Sequence, residues 1–452
     1  MGSPTVSTVN VLARYVRALK TTDIPDVSKQ RAAMAILDTL ACAAAGLDVP
    51  SVAAARDATM KLFGKGEVPI WFDGRRTTAA GAIFANSSAA AVLDMDDGHN
   101  EARGHPAAAI IPAVLALALE IGASADDVLS AIVIGYEIGI RIKSGRGDHG
   151  QKGAHGQTGV WTGFGVAAAT GWLLKLSEEQ LANSLALAGV YSPNLIATAY
   201  TTELGADVKE GIPLSAVSGY SSMTLASLGH VGFGDTLDHF PFYDSERILK
   251  DLGDSEMKID SNYFKPYATC RHFHGAMKAV ENLIEKYKIK VDEIKAIKVY
   301  VYEYALRLSN KKRPENLTDI QYSIPYGVAV MAILGADALM PIEESLLGRT
   351  DVGALADKVE IVPDPELSAR FPEFVLNRVD IVTAGGTYSS PAARPPCDAD
   401  NPMSMEELEH KYRRASSKAL NHQRQEGVLH AFSRLRNGEI APLLEMIGQP
   451  LP

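Results

Sequence analysis

Apolar residues recur every three or four positions through the first half of the chain, which is the spacing of helices that bury one face. The run 107–122 is rich in alanine and contains Pro112, and it is shorter than the roughly 20 residues that span a bilayer. We therefore predict a buried helix there. A second helix is predicted over 27–45, ending at Gly46, from the apolar positions Ala33, Ile36, Leu37, Leu40 and Ala44.

The pattern changes to a period of two after about residue 260, which is typical of half-buried strands. One predicted strand has the apolar set Ile297, Val299 and Val301, alternating with more polar neighbours. Residues 378–383 form another, and the glycines in 384–387 are expected to turn the chain into a partner strand. Ser404, followed three residues later by Glu407, predicts the start of further helices that run to about residue 446.

These patterns predict a mostly α fold with two parts. Residues 1–260 and 403–452 are expected to form a large all-helical domain, because the last helices should return to pack on the first. Residues 261–402 are expected to form a smaller α+β domain. Prolines between 391 and 402 mark the linker between them.

Composition narrows the class of protein. The 452 residues carry a formal charge of −10, which argues against nucleic acid as a partner, since phosphate binding requires a basic face. Cys42, Cys270 and Cys397 are odd in number and far apart, so they predict neither a disulfide framework nor a metal cluster. With no targeting or membrane segment recognised, we expect a cytoplasmic protein that does not bind membranes.

One loop concentrates residues that can carry chemistry between two apolar segments: Asp94, Asp96, Asp97, His99, Arg103 and His105. An acidic Mg²⁺ site is one interpretation, although no second acidic cluster matches it. A zinc site built on His99 and His105 is another, but no further pair of ligands is evident. A cofactor-free acid–base site is the third.

Three other segments add cations and histidines. Lys209 precedes a helix of small residues that we expect to be buried, whereas a lysine near a turn is usually a surface charge. Glycines recur every third residue over 147–159, as in a flexible connector or a mobile loop that places His149 or His155 at a site. An anion-binding pocket is predicted by the cluster Lys265, Tyr267, Arg271, His272 and His274.

The whole chain resembles the MmgE/PrpD family, which includes 2-methylcitrate dehydratases, cis-aconitate decarboxylases and iminodisuccinate epimerase. The resemblance implies a large all-helical domain, a smaller α+β lid, a homodimer, and neither a metal nor an organic cofactor. The motifs that carry it stand in order as LDTLACAAAG (37–46), the loop 94–106, AHGQTG (154–159), GADVK (205–209), and KPYATCR (265–271) with His274.

The resemblance places five residues at the family's active-site positions: Asp94, His105, His155, Lys209 and His274. Lys265 matches a basic residue of the lid motif, and we expect Lys265, Arg271, Asp97 and Arg103 to bind the substrate. Two departures concern a leaving group. Gly98 stands where the dehydratase and decarboxylase pattern has a hydroxyl, and Ile212 stands where dehydratases often have histidine.

We therefore expect a cofactor-independent, metal-free enzyme that transfers a proton beside a carboxylate of a small di- or tricarboxylate. Epimerisation of an iminodisuccinate-type substrate is the first hypothesis, because it needs no leaving group. Lys209 would act as a base if His105, His155 and Lys265 depress its pKa. The alternatives are a 2-methylcitrate-type dehydratase, a cis-aconitate-type decarboxylase and a non-catalytic helical binding protein.

Overall fold

The computed structural model describes residues 6–147, 158–193 and 207–451, and helices dominate these residues. The helices are α1 (Thr8–Ala18), α2 (Asp26–Ala45), α3 (Pro50–Leu62), α4 (Ala79–Ala91), α5 (Ala107–Ile121), α6 (Ala125–Gly145), α7 (Thr162–Leu173), α8 (Glu178–Tyr191), α9 (Ile212–Ser227), α10 (Ser245–Leu249), α11 (His274–Tyr287), α12 (Leu317–Gln321), α13 (Ile324–Leu334), α14 (Thr350–Asp357), α15 (Pro365–Arg370), α16 (Met405–Ser416), α17 (His422–Arg436) and α18 (Ala441–Gly448). The prediction of a mostly α fold is confirmed.

Local sequence signals account for several of these boundaries. Ser404 and Glu407 form a reciprocal capping box at the start of α16, which satisfies backbone N–H groups that a helix end leaves without partners. α5 covers the predicted alanine-rich run and is buried along most of its length, with Pro112 inside it. α2 ends where predicted, but Gly46 is right-handed and continues into a short 3₁₀ turn.

Four strands make one mixed sheet in the order β6-β5-β7-β8, with β5 at Ile294–Val301, β6 at Val359–Pro363, β7 at Arg378–Thr383 and β8 at Gly386–Ser389. β5 pairs in parallel with β6 and antiparallel with β7, and β7 turns directly into β8. Ile297, Val299 and Val301 are fully buried, so the predicted alternation is confirmed. The remaining strands form two short pairs: β1 (Val68–Pro69) with β2 (Arg76–Thr77), and β3 (Gly98–His99) with β4 (Asn262–Tyr263).

The last helices return to the N-terminal part of the chain, as predicted. Lys411 of α16 is buried and forms an ion pair with Asp38 of α2, at 2.5 Å between Nζ and Oδ1. The same Nζ donates a hydrogen bond to the backbone oxygen of Met95, at 2.7 Å. A helix near the chain's end therefore contacts the loop that carries Asp94. The division into two domains at 260 and 403 stays a prediction.

Some apolar side chains face outward in the segment 228–242. Leu228 and Phe240 are each 82% exposed, and Val231, Phe233 and Phe242 are also exposed. Among the described residues, no single helix is long and apolar enough to cross a membrane. One bent pair, Asp26–Asp48 with Pro50–Leu62, reaches that length and composition only when its two halves are combined.

Candidate active site

A cavity of about 440 Å³ opens beside the loop 94–106. Its wall also includes residues 263–272, residues 304–308, Tyr322 and residues 371–375, so segments from before and after residue 260 meet there. Among the described residues that line it, basic side chains outnumber acidic ones by six to four. The basic ones are Arg103, Lys143, Lys265, Arg271, Arg307 and Arg394, and the acidic ones are Asp94, Glu210, Glu373 and Asp398.

Asp94 is the centre of a charged cluster at this cavity. Its Oδ1 lies 2.6 Å from Lys209 Nζ, and its Oδ2 lies 3.0 Å from Lys265 Nζ. His105 Nε2 is 3.4 Å from Oδ1, while His105 Nδ1 lies 2.6 Å from the carbonyl oxygen of Asp97, which fixes the ring. Burial disfavours the charged carboxylate, but Lys209, Lys265 and His105 outweigh it and hold the pKa of Asp94 well below its usual range. Asp94 is therefore ionised.

The backbone around this cluster adopts an uncommon conformation. Asp94, Arg103, Lys209 and Glu210 have φ angles of 52°, 49°, 38° and 57°, in the left-handed region that side chains disfavour. Lys209 begins a 3₁₀ turn, Lys209–Gly211, directly before α9. Such strain persists only where surrounding contacts enforce it, and here it lies at the cavity.

Asp96 and Asp97 lie beneath the wall and are fully buried. Asp97 accepts hydrogen bonds from the Tyr136 hydroxyl (2.6 Å), the Asn262 amide (3.1 Å) and the Ala107 backbone N–H (3.0 Å). Burial, only partly offset by these donors, raises the pKa of Asp97 to about 7. Burial also raises the pKa of Asp96, whose two oxygens have no hydrogen-bond partner among the described residues.

Asp94, Asp96 and His105 bring potential metal ligands within 4.8 Å of one another. Both oxygens of Asp94, however, already face ammonium groups, so two lysines supply positive charge at the position where an ion would bind. The absence of a metal from the mechanism stays a prediction.

The expected depression of the Lys209 pKa is wrong. Burial alone would lower it, but the Asp94 carboxylate 2.6 Å away outweighs burial and raises the pKa of Lys209 well above its ordinary value. Lys209 also donates a longer hydrogen bond, 3.4 Å, to the Tyr322 hydroxyl. A lysine in this setting is a stable cation and a poor base.

The predicted substrate-binding cations line the cavity. Lys265 is buried against Asp94. Its Nζ lies within ion-pair distance of the carboxylate but does not form a hydrogen bond with it. Arg271 lies 4.2 Å above the centre of the Tyr263 ring and forms an ion pair with Asp398 at 2.6 Å. Arg103 lies over Phe371, 5.9 Å from the ring centre. These groups could receive the carboxylates of a small anion.

Two of the predicted site residues, Asp97 and His274, are placed differently. Asp97 does not line the cavity, because its carboxyl is enclosed by the three donors above. His274 is also behind the wall: its Nε2 lies 3.0 Å from the Thr269 carbonyl oxygen, and burial lowers its pKa well below the usual value. Their predicted contacts with substrate would therefore need a rearrangement. His155, like His149, lies outside the described residues.

The structure adds residues that the sequence reasoning did not select. Tyr322 contacts Lys209 from a segment without a recognisable motif. Tyr263 lies two residues before Lys265, and its proximity to Gly98 is visible only when β3 and β4 are paired. Lys411, on a helix far along the chain, contacts the loop that carries Asp94 through the Met95 carbonyl oxygen. For Lys411 the sequence does hold a signal, because this lysine lies on the apolar face of the predicted amphipathic helix.

Comparisons with known proteins agree with the resemblance. Cis-aconitate decarboxylase of Aspergillus terreus is 27% identical, with 97% of this chain and 96% of the relative aligned. A cis-aconitate decarboxylase-like protein of Aspergillus oryzae is 26% identical over 97% of each chain. Human cis-aconitate decarboxylase is 25% identical over 80% of this chain and 78% of its own length. These names support the decarboxylase alternative and give no support to the epimerase hypothesis.

Family models cover most of the chain. The MmgE/PrpD N-terminal domain matches residues 10–241, and the MmgE/PrpD C-terminal domain matches residues 267–435. The cavity described above draws its wall from both matched regions. The chain belongs to the MmgE/PrpD family.

Proposed function

We propose that the protein is a lyase that decarboxylates a small unsaturated tricarboxylate of the cis-aconitate type, without a cofactor. The observation that carries the proposal is the Asp94 cluster, in which Lys209 and Lys265 lie against one carboxylate, beside His105, next to a cation-rich cavity. The names of the aligned relatives point to the same reaction. The proposal replaces epimerisation as the first hypothesis.

The charge of the cavity suits such a substrate. A tricarboxylate carries about three negative charges at neutral pH, because carboxyl groups ionise near pH 4. Lys265, Arg271 and Arg103 are placed to receive its carboxylates, and guanidinium groups can do so with two parallel hydrogen bonds. Partial desolvation in the cavity strengthens each of these contacts.

The reaction requires an acid rather than a base. One carboxylate leaves as CO₂, and its bonding electron pair moves through the adjacent double bond to a carbon beside a second carboxylate. That carbon then takes one proton from the protein. Cations around the remaining carboxylates stabilise the charge that develops on them. An epimerase would instead need a group that removes a proton, and the raised pKa of Lys209 does not favour it as a base.

We assign proton donation to His105, because it lines the cavity whereas Lys209 does not. The contact of Nδ1 with the Asp97 carbonyl directs Nε2 toward Asp94 and the cavity. Lys209 then holds Asp94 in place and contributes positive charge. Asp97 is a positioning residue, since its carbonyl orients the histidine and its carboxyl is tied to Tyr136.

Turnover in D₂O tests the proposal. With cis-aconitate, we expect one CO₂ released and one deuteron bound to carbon in each product molecule, measured by trapping the gas and by NMR. Uptake or loss of water would instead indicate a dehydratase. Deuterium exchange without loss of mass, on an iminodisuccinate-type substrate, would restore the epimerase hypothesis. Binding without turnover of any carboxylate would indicate a binding protein.

A pair of variants tests the proton donor. His105→Gln should lower kcat by about 10²–10⁴-fold, the usual contribution of a positioned acid. His430→Gln is the matched control, because His430 is exposed on α17 and remote from the cavity wall. Equal turnover in the two variants, with both folded, would move the role of acid away from His105.

A further inference from the structure

A two-stranded antiparallel pair borders the cavity. In it Gly98 of β3 lies directly opposite Tyr263 of β4, and His99 lies opposite Asn262. Residues directly opposite in such a pair have Cβ atoms about 4.5–5.5 Å apart, so their side chains compete for one space. A glycine at one position leaves that space to the side chain on the other strand.

The Tyr263 ring fills this space completely. A Cβ atom placed on Gly98 would overlap the hydroxyl oxygen and Cζ of Tyr263, and it would lie 2.7 Å from Cε2. The backbone of Gly98 does not require glycine, because its φ lies outside the left-handed region. The tyrosine is therefore the physical reason for the glycine at position 98.

Tyr263 belongs to a cavity wall that is suited to an anion. Tyr263 lines the cavity together with Asp94, His105 and Lys265. The Arg271 guanidinium is stacked 4.2 Å above the ring centre, so a neutral donor and a cation border the same space. None of the described residues forms a hydrogen bond with this hydroxyl. Burial raises the pKa of Tyr263, which keeps the phenol protonated as a donor.

We infer that the Tyr263 hydroxyl donates a hydrogen bond to a carboxylate of the substrate, beside Arg271. Position 98 is glycine because any larger side chain there would displace the Tyr263 ring. The inference rests on the proposed function only in taking a carboxylate as the ligand. The side chain that occupies the space at position 98 is thus supplied by the opposite strand. Tyr263 becomes a substrate-binding residue, and Gly98 a positioning residue.

Binding of tricarballylate, a saturated tricarboxylate that lacks the double bond needed for this decarboxylation, tests the inference by calorimetry. Tyr263→Phe should raise Kd about 10- to 100-fold, because it removes a hydrogen bond to a charged group and keeps the ring on Arg271. Gly98→Ala should raise Kd similarly by displacing the tyrosine. Tyr300→Phe is the matched control, since Tyr300 lies in the sheet with its hydroxyl bonded to Asp380.

The double variant Tyr263→Phe/Gly98→Ala separates recognition from packing. If the hydroxyl is what binds, the two losses should not add, and the double variant should bind about as weakly as either single one. A Kd for Tyr263→Phe within twofold of wild type would overturn the inference, whatever Gly98→Ala does. If the wild type binds tricarballylate but releases no CO₂ from cis-aconitate, the decarboxylase proposal is refuted. The Kd values of Tyr263→Phe and Gly98→Ala then still decide the inference about Tyr263. Failure of the wild type to bind tricarballylate would overturn the inference, while release of CO₂ from cis-aconitate would still decide the decarboxylase.

Discussion

Replacing Lys411 with methionine should strongly destabilise the protein. The ammonium group is 1% exposed and its partner Asp38 is fully buried, with 2.5 Å between Nζ and Oδ1. Methionine keeps the apolar stem but leaves a carboxylate enclosed without a counter-ion. Breaking a buried pair in this way costs about 3–5 kcal/mol, a large share of the roughly 5–15 kcal/mol that stabilises a typical domain. The hydrogen bond to the Met95 carbonyl is also lost, so the loop carrying Asp94 should loosen.

Urea unfolding followed by circular dichroism measures the effect. A control is available two residues after the end of α16, where Lys418 forms an exposed ion pair with Asp48, at 3.6 Å between Nζ and Oδ2. Lys418→Met should change the free energy of unfolding by less than about 1 kcal/mol. The double variant Lys411→Met/Asp38→Leu should recover much of the loss, because no unpaired charge remains buried. A loss below about 1 kcal/mol in Lys411→Met, or a double variant as unstable as the single one, would refute this reasoning.

Four further outcomes are expected. The contribution of Asp97 to the free energy of unfolding should fall as pH rises from about 4 to about 7, since the folded state binds a proton at Asp97 that the unfolded state releases; the difference between wild type and Asp97→Asn in urea titrations should shrink over this range, and a constant difference would contradict the raised pKa of Asp97. Lys209→Arg should retain much more kcat than Lys209→Gln if the residue acts as a cation, and equal losses would contradict that role. Arg271→Ala should raise KM by an amount equivalent to about 1.5–3 kcal/mol, and an unchanged KM would place Arg271 outside the substrate site. The predicted homodimer should dissociate in sedimentation experiments when Phe240→Asp places a charge in the exposed apolar segment 228–242, and a variant that stays dimeric would exclude that surface.

Much of the fold could be predicted because its signals are local. The alternation around Val299 depends on the period of a strand, and the cap at Ser404 depends on two residues three positions apart. The Lys411–Asp38 pair could not be found in this way, since 373 positions separate its members. Its existence depends on how α16 packs on α2.

The residues of the candidate site were predictable in part, because short motifs carry them. The motifs identified His105, Lys265 and Arg271 as residue types that bind or protonate anions, with Asp94 as an acidic neighbour, and the structure brings all four to one cavity. Their electrostatic state was not predictable, because the pKa of Lys209 depends on a carboxylate 115 positions away. Gly98 was recognisable as a departure from the family pattern, but its cause lies on another strand.

The left-handed backbone at Asp94, Arg103, Lys209 and Glu210 has a consequence for directed evolution. Each such residue costs the folded state about 1–2 kcal/mol, a cost that glycine avoids. A library selected for heat resistance alone should therefore enrich glycine at these positions, with Arg103 and Glu210 accepting it first because neither belongs to the Asp94 cluster. Turnover should decline as the melting temperature rises. Selection of this protein for stability therefore needs a simultaneous screen for activity.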